Sequence, residues 1–374
     1  MEQIGVIGLG AMGLGIVQLF AQAGFTLRGA DAQPQARAAA LNRIRTALAA
    51  RVTAGKLGDD AMQETLARIT ICDSIAEVAK DAALVIEAVI EDPGVKRAVL
   101  AEAEAAAPAT AVLATNTSAL RVSELAGGLA RPDRFLGLHF FNPPQVMRLV
   151  EMVDHGATSP AALTLTRTLT ERAGKLVIAC PDRPGFIVNR CARPYYGEAL
   201  AMMTEGRSAS DIDAAMLAAG YRMGPLTLID LIGADINLAA TEGLARAMND
   251  HPRHHVFELL RQQVQRGALG RKSGTGFLFP AIPGPAPADA GAIRLRLEAM
   301  LANEAASLLA ESRLSPDDID RAMMLGLNFP RGPFASARLH GAEAITRLLA
   351  RLQSAAPPHL AARYALNPAL LPAL

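Results

Sequence analysis

Gln3-Ile4-Gly5-Val6-Ile7-Gly8-Leu9-Gly10-Ala11-Met12-Gly13 opens as an apolar, strand-like run and passes through glycines into an amphipathic stretch that continues to Ala21. Gly8, Gly10 and Gly13 have the G-x-G-x-x-G spacing of a dinucleotide-binding turn, in the strand-then-helix context that this fingerprint requires. Gly8 would permit the tight turn, Gly10 the close approach of a pyrophosphate, and Gly13 the packing of helix on strand. The helix N-terminus would present amides to the anion. Met12 belongs to the same turn. Asp31 follows Gly8 by 23 residues, just past a second strand-like run, where a carboxylate would bond the adenosine ribose hydroxyls. That position favours NAD over NADP, with Arg28 and Arg37 as the nearby cations that argue for a 2′-phosphate.

Outward from this turn, strand-like runs at Gln3–Ile7, Thr26–Ala30, Ala83–Val89, Ala111–Ala114 and Leu136–Phe141 alternate with helix-like stretches. The rhythm predicts a parallel sheet covered by helices, an α/β fold of the Rossmann type. From about Pro184 to Gly276 the pattern changes to long helical segments. Pro280-Ala281-Ile282-Pro283-Gly284-Pro285-Ala286-Pro287 then fixes too many φ angles and offers too few donors for a regular element, and reads as a linker. Beyond Ala292 the chain is helical again. Glu198, Arg207, Asp211-Ile212-Asp213, Met216 and Gly224-Pro225 recur there as Glu304, Arg313, Asp318-Ile319-Asp320, Met323 and Gly332-Pro333, with an offset of 106 to 108 residues. This predicts an internal duplication of the helical domain. The expected organisation is a dinucleotide-binding domain at 1–181, an all-α substrate and dimerisation domain at 182–279, a proline-rich linker at 280–291 and a second, degenerate helical domain at 292–374.

Composition narrows the function. The 374 residues are more than one core comfortably serves, which agrees with several domains. Apolar runs such as Ala82–Ile86 are far shorter than the roughly 20 residues that span a bilayer, so no membrane segment is expected. The N-terminus lacks the basic and apolar regions of a signal peptide, which makes the cytoplasm the expected location. Three cysteines, Cys72, Cys180 and Cys191, are widely spaced with no CxxC pair and no histidine cluster, so reduced, buried thiols are expected and no metal site. A formal charge of +1 without a basic block gives nothing to neutralise a phosphate backbone, and nucleic acid is a poor partner.

A second constellation lies at Arg134–Val153, where two apolar runs flank Asn142-Pro143-Pro144-Gln145. The prolines cannot continue a ladder and favour a reversal. Folding the segment about Gln145 puts His139 opposite Glu151 on the paired strands, within reach of an imidazole–carboxylate hydrogen bond. Such a pair suits alcohol dehydrogenation, in which an imidazole takes the hydroxyl proton while a carboxylate fixes its tautomer. A satisfied core histidine and a solvated strand glutamate would carry the same spacing.

The segments GLGAMGLGI, ATNTSAL, GLHFFNPP, LVEMV, PGFIVNR, GYRMGPLTLIDLIG and GRKSGTGF occur in this order, and together they resemble the L-3-hydroxyacyl-CoA dehydrogenase family. The match covers about residues 1–280, and 292–345 is similar to that family's C-terminal domain. The resemblance implies that His139 is the base and Glu151 its partner, that Ser118 stands near the substrate hydroxyl and the nicotinamide, and that Asn189 contacts substrate and base. Asn116 and Asn142 are implied on the nicotinamide side, Glu91 and Lys96 along the cofactor, and Lys272 near the site mouth. The implied substrate is an acyl-CoA of short-chain or dicarboxylic type, as in the stand-alone 3-hydroxybutyryl-CoA and 3-hydroxyadipyl-CoA enzymes. With no hydratase-like region ahead of the dinucleotide turn, a bifunctional β-oxidation protein is not expected. In single-copy relatives the helical domain is the dimer contact, so the duplicated copy implies an intrachain pseudo-dimer as an alternative to a homodimer.

Two positions depart from the family pattern. Pro93-Gly94 stands before Val95-Lys96, which implies an altered cofactor-side loop, and Ala119 replaces the usual second serine after Asn116-Thr117-Ser118. Two other functions share much of this pattern: oxidation of a free hydroxy acid, as in proteins similar to gulonate dehydrogenase and lambda-crystallin, and NAD binding without turnover.

Overall fold

The computed structural model describes residues 2–374, which divide into two compact units, the boundary falling between Arg183 and Pro184. In the first unit the elements run β1 (Gln3–Ile7), α1 (Ala11–Gln22), β2 (Thr26–Ala30), α2 (Pro34–Thr53), α3 (Asp59–Ala67), β3 (Ile69–Ile71), α4 (Ile75–Ala79), β4 (Leu84–Glu87), α5 (Pro93–Ala106), β5 (Val112–Thr115), α6 (Val122–Ala126), β6 (Phe135–Phe140), β7 (Leu149–Asp154), α7 (Pro160–Arg172) and β8 (Leu176–Pro181). Their eight strands form one sheet in the order β3-β2-β1-β4-β5-β6-β7-β8. Pairing is parallel from β3 to β6, antiparallel between β6 and β7, and parallel again between β7 and β8. Order 3-2-1-4-5-6 is that of the doubly wound dinucleotide fold, whose ligands bind where the strand order reverses, here between β1 and β4. Strands β1, β4, β5 and β6 are almost wholly buried, as expected of strands covered on both faces. Ile4, Val6, Leu84, Ile86, Val112, Ala114, Leu136 and Leu138 form the core of this unit with Ile16, Val17 and Phe20 of α1.

The second unit is helical: α8 (Val188–Cys191), α9 (Arg193–Thr204), α10 (Ala209–Ala218), α11 (Pro225–Ile232), α12 (Ala234–Ala247), α13 (Glu258–Gln265), α14 (Ala290–Ala310), α15 (Pro316–Leu327), α16 (Pro333–His340) and α17 (Ala342–Ala355). One local device appears in it twice. The Asp213 carboxylate of α10 accepts the amides of Leu226 and Thr227 at the start of α11, and Asp320 of α15 accepts those of Phe334 and Ala335 at the start of α16. A Cβ on Gly224 would stand 2.3 Å from the Asp213 carboxyl carbon, and one on Gly332 would stand 2.2 Å from that of Asp320. Glycine is therefore required before each helix for the capping carboxylate to approach.

The buried charges of this unit are also reciprocal. Arg190, fully buried, donates to Glu304 at 2.6 Å and to both oxygens of Glu311 at 2.9 and 3.0 Å. Arg296 donates to Glu198 at 2.6 Å and to both oxygens of Glu205 at 2.6 Å. Arg190 and Arg296, Glu198 and Glu304, and Glu205 and Glu311 are each 106 positions apart. All three cysteines are buried and unbridged, and among the described residues no helix is long and apolar enough to cross a membrane.

Candidate active site

At the first β-to-α turn the three glycines divide the work. Gly8 has φ +96°, and a Cβ there would stand 2.6 Å from the Ala88 carbonyl; a Cβ on Gly13 would stand 1.7 Å from the Gly8 carbonyl. Both positions are close backbone packing. At Gly10 a Cβ would meet nothing within 4 Å, which leaves open the approach to the amino end of α1. Beside it lies a cavity of about 760 Å³, lined by Gly8, Gly10, Met12, Asp31, Val89 and Ile90 among others. A glycine turn, an open helix N-terminus and an acid on the rim fit the pyrophosphate and ribose of a dinucleotide. Asp31 is held in place by the amides of Leu9 (2.7 Å) and Gln33 (2.8 Å). The cations that could have received a 2′-phosphate are otherwise engaged: Arg28 bonds the Glu77 carbonyl and Asp81, while Arg37 bonds the Asp31 carbonyl and pairs with Asp73.

Three strands along the sheet from β1, the antiparallel register of β6 and β7 sets His139 opposite Glu151. The imidazole Nδ1 lies 2.7 Å from Glu151 Oε2, with the carboxylate fully buried and the histidine 7% exposed. The Phe141 ring stands 4.6 Å from the imidazole, centroid to centroid. Asn116, at the end of β5, accepts the Phe140 amide at 2.8 Å and so ties the loop carrying Ser118 to the strand carrying His139. Asn142 is exposed at the start of the following turn.

The Ser118 loop is organised by Glu91. Its Oε1 accepts the Thr117 hydroxyl at 2.5 Å and the amides of Ser118 and Ala119 at 3.0 and 3.2 Å. Burial pushes its pKa up, but Lys96 and the bonds from Thr117 and Ser118 outweigh that and leave it below the usual carboxylate value. Glu91 is therefore an anion at neutral pH. Lys96, implied by the resemblance along the cofactor, is paired with two carboxylates. It is 1% exposed, and its ammonium lies 2.8 Å from Glu87 and 3.2 Å from Glu91. Glu87 also accepts the Thr115 hydroxyl at 2.6 Å and the Val89 amide at 2.7 Å. Pro93-Gly94 does not disrupt this corner: Asp92 accepts the Val95 amide at 2.8 Å and Pro93 opens α5, a preferred cap followed by a preferred first residue.

Asn189 and Lys272 belong to the second unit, the first in α8 and the second in a short turn where its ammonium pairs with Asp235 at 2.5 Å. Several organising residues escape a reading of the sequence: Glu87, Thr115, Thr117, Asp182, which accepts the amides of Val122 and Ser123 at the start of α6, and Lys175. Glu87 alone left a trace, as an acid inside an otherwise apolar strand.

A doubly wound sheet with a glycine turn, an acid after β2 and a buried histidine–carboxylate pair defines a nicotinamide-dependent dehydrogenase. The NAD-binding domain model of the 3-hydroxyacyl-CoA dehydrogenases matches residues 3–183, and that family's C-terminal domain model matches 185–279 and again 291–371. The chain belongs to the 3-hydroxyacyl-CoA dehydrogenase family, NAD-dependent oxidoreductases. It is similar to the 3-hydroxyadipyl-CoA dehydrogenase of Escherichia coli, with 40% identity over 279 residues, 74% of this chain and 58% of that one. It is similar to the probable 3-hydroxybutyryl-CoA dehydrogenase of Bacillus subtilis, with 38% identity over 74% of this chain and 96% of that one. The crystal structure of 3-hydroxybutyryl-CoA dehydrogenase from E. coli superposes with a TM-score of 0.91 at 30% identity, covering 99% of this chain and 98% of that one.

Proposed function

We propose that the protein oxidises (3S)-3-hydroxyacyl-CoA to 3-oxoacyl-CoA, with His139 as general base, and that the acyl group is short or dicarboxylic. The observation that carries the mechanism is the 2.7 Å bond between buried Glu151 and His139 Nδ1. With Nδ1–H donated to the carboxylate, Nε2 is the nitrogen that takes the hydroxyl proton, and the adjacent anion stabilises the imidazolium as it forms. NAD, when bound, accepts the hydride from the same carbon. Ser118 holds the substrate oxygen, oriented through Glu91, and Asn116 and Asn142 serve the nicotinamide side. Asn189 binds substrate, and Lys272 acts near the entrance. The acyl preference is supported by the substrates named for the similar E. coli and B. subtilis enzymes. The deciding experiment is NADH formation with a panel of 3-hydroxyacyl-CoAs that includes 3-hydroxyadipyl-CoA, beside the matching free acids. Turnover of the free acids in preference to the thioesters would overturn the reading, as would NAD binding without turnover.

We further infer that the helical unit is a tandem pair, residues 182–279 and 292–374 joined by the linker at 280–291, packed as an intrachain pseudo-dimer. Support comes from the repeated carboxylate caps at Asp213 and Asp320 and from reciprocal pairing, in which Arg190 reaches Glu304 and Glu311 as Arg296 reaches Glu198 and Glu205. Contacts that exchange partners in this way are the mark of a two-fold interface.

A further inference from the structure

Lys175 immediately precedes β8 and is 8% exposed. Its ammonium turns to the carbonyls of Pro144 (2.5 Å) and Met147 (2.6 Å), and no carboxylate is among these partners. A buried cation held only by neutral carbonyls is costly to desolvate, so an apolar side chain of the same length would be the simpler filler. The carbonyls belong to the turn that follows His139. Within that turn the amides of Val146 and Met147 both donate to the Pro143 carbonyl at 3.0 Å. The same turn lies on α1: a Cβ on Gly15 would stand 2.7 Å from Pro144 Cδ and 2.8 Å from Gln145 Oε1. The amino end of that helix is the proposed pyrophosphate site. On its upstream side the turn continues into Phe140 and His139, fixed by Asn116 and Glu151.

We propose that Lys175 is a positioning residue for the reaction: by drawing the carbonyls of Pro144 and Met147 onto one ammonium it locks the Asn142–Met147 turn against α1, and so sets where Asn142 and His139 stand relative to a dinucleotide seated on that helix. Burial pushes its pKa down to about 8, so it is still mostly an ammonium at neutral pH. The inference rests on the proposed hydride transfer for its catalytic consequence and on the clamp alone for its structural one, and the two are measured separately.

The test compares wild type with Lys175→Met, which fills the space without donors. One measurement is kcat and its isotope effect with (3S)-3-hydroxybutyryl-CoA deuterated at C3; the other is amide exchange of the turn in the NADH-bound protein. Misplaced reactants slow the chemical step, so kcat falls between about 10- and 100-fold, the isotope effect rises, and KM and the Kd for NADH stay near wild type. The Val146 and Met147 amides exchange about tenfold faster. A side chain that only supports folding would lower Tm and leave kcat per NADH site, the isotope effect and the turn's exchange unchanged, and that result overturns the proposal. Should Lys175→Met fail to fold, Lys175→Leu, which likewise offers the carbonyls no donor, is read in the same way. Absence of wild-type turnover would sink the hydroxyacyl-CoA reading, while amide exchange still decides the clamp.

Discussion

Replacing His139 with glutamine removes the proposed base, so kcat should fall by about 10²–10⁴-fold, the usual range for lost acid–base catalysis. NAD affinity, read by titration, should stay nearly unchanged, and a variant with near-wild-type kcat would end the assignment. Asp31 tests specificity instead of rate. Asp31 lines the cavity beside the glycine turn, and Asp31→Asn should narrow the preference for NAD over NADP, measured as the ratio of kcat/KM values. Equal efficiency with both cofactors in the unmodified protein would contradict the role given to this acid. Side chains of this kind are legible in a sequence because a motif fixes their place. Glu87 and Lys175 are not, since a charge written in one sequence looks the same whether it is solvated or buried, and only the packing around β4 and the start of β8 decides.

Among the elements, β1 and β2 fall where alternating patterns and glycine signals put them, and the turn at Pro143-Pro144 sets the pairing of His139 with Glu151. Strands β3 and β8 were not legible. Ile69–Ile71 is too short to show a period, and Leu176–Pro181 is an apolar run that periodicity alone does not distinguish from buried helix. Helix α5 carries its own prediction. Lys96 is the only cation paired with fully buried Glu87 among the described residues, so Lys96→Met should cost about 3–5 kcal/mol, the penalty for stranding a buried charge. Adding Glu87→Gln should recover most of that loss. Urea unfolding of the single and double variants checks this, and an additive pair would show that the ion pair is energetically idle.

For the molecule as a whole, acid stability is written into the helical unit. His254 is 4% exposed, and burial, reinforced by Arg190, Arg253 and Arg363, pushes its pKa down from 6.5 to about 3. Between those values the unfolded chain binds a proton that the folded chain refuses, so His254 makes stability fall as pH drops from 6.5 toward 3. Urea midpoints across that range should fall less steeply in His254→Gln. Truncation before Ala292 is a harsher test. It removes the carboxylates of Glu304 and Glu311 from fully buried Arg190 and takes Arg296 from Glu198. The shortened protein should keep its NAD site yet aggregate, and a soluble monomer of unchanged Tm would refute the pseudo-dimer.

Joining the halves of such an interface in one polypeptide also changes how it evolves. Between two identical chains every substitution appears twice, once on each side of the axis, and must be tolerated in both places. Within one chain it appears once. Asp230 gathers the amides of Phe277, Leu278 and Phe279, while its counterpart Arg338 bonds the carbonyls of Ala373 and Leu374. On the proposed tandem reading, one half keeps an acid that organises a loop, and the other half carries at that position a cation that ties down Ala373 and Leu374.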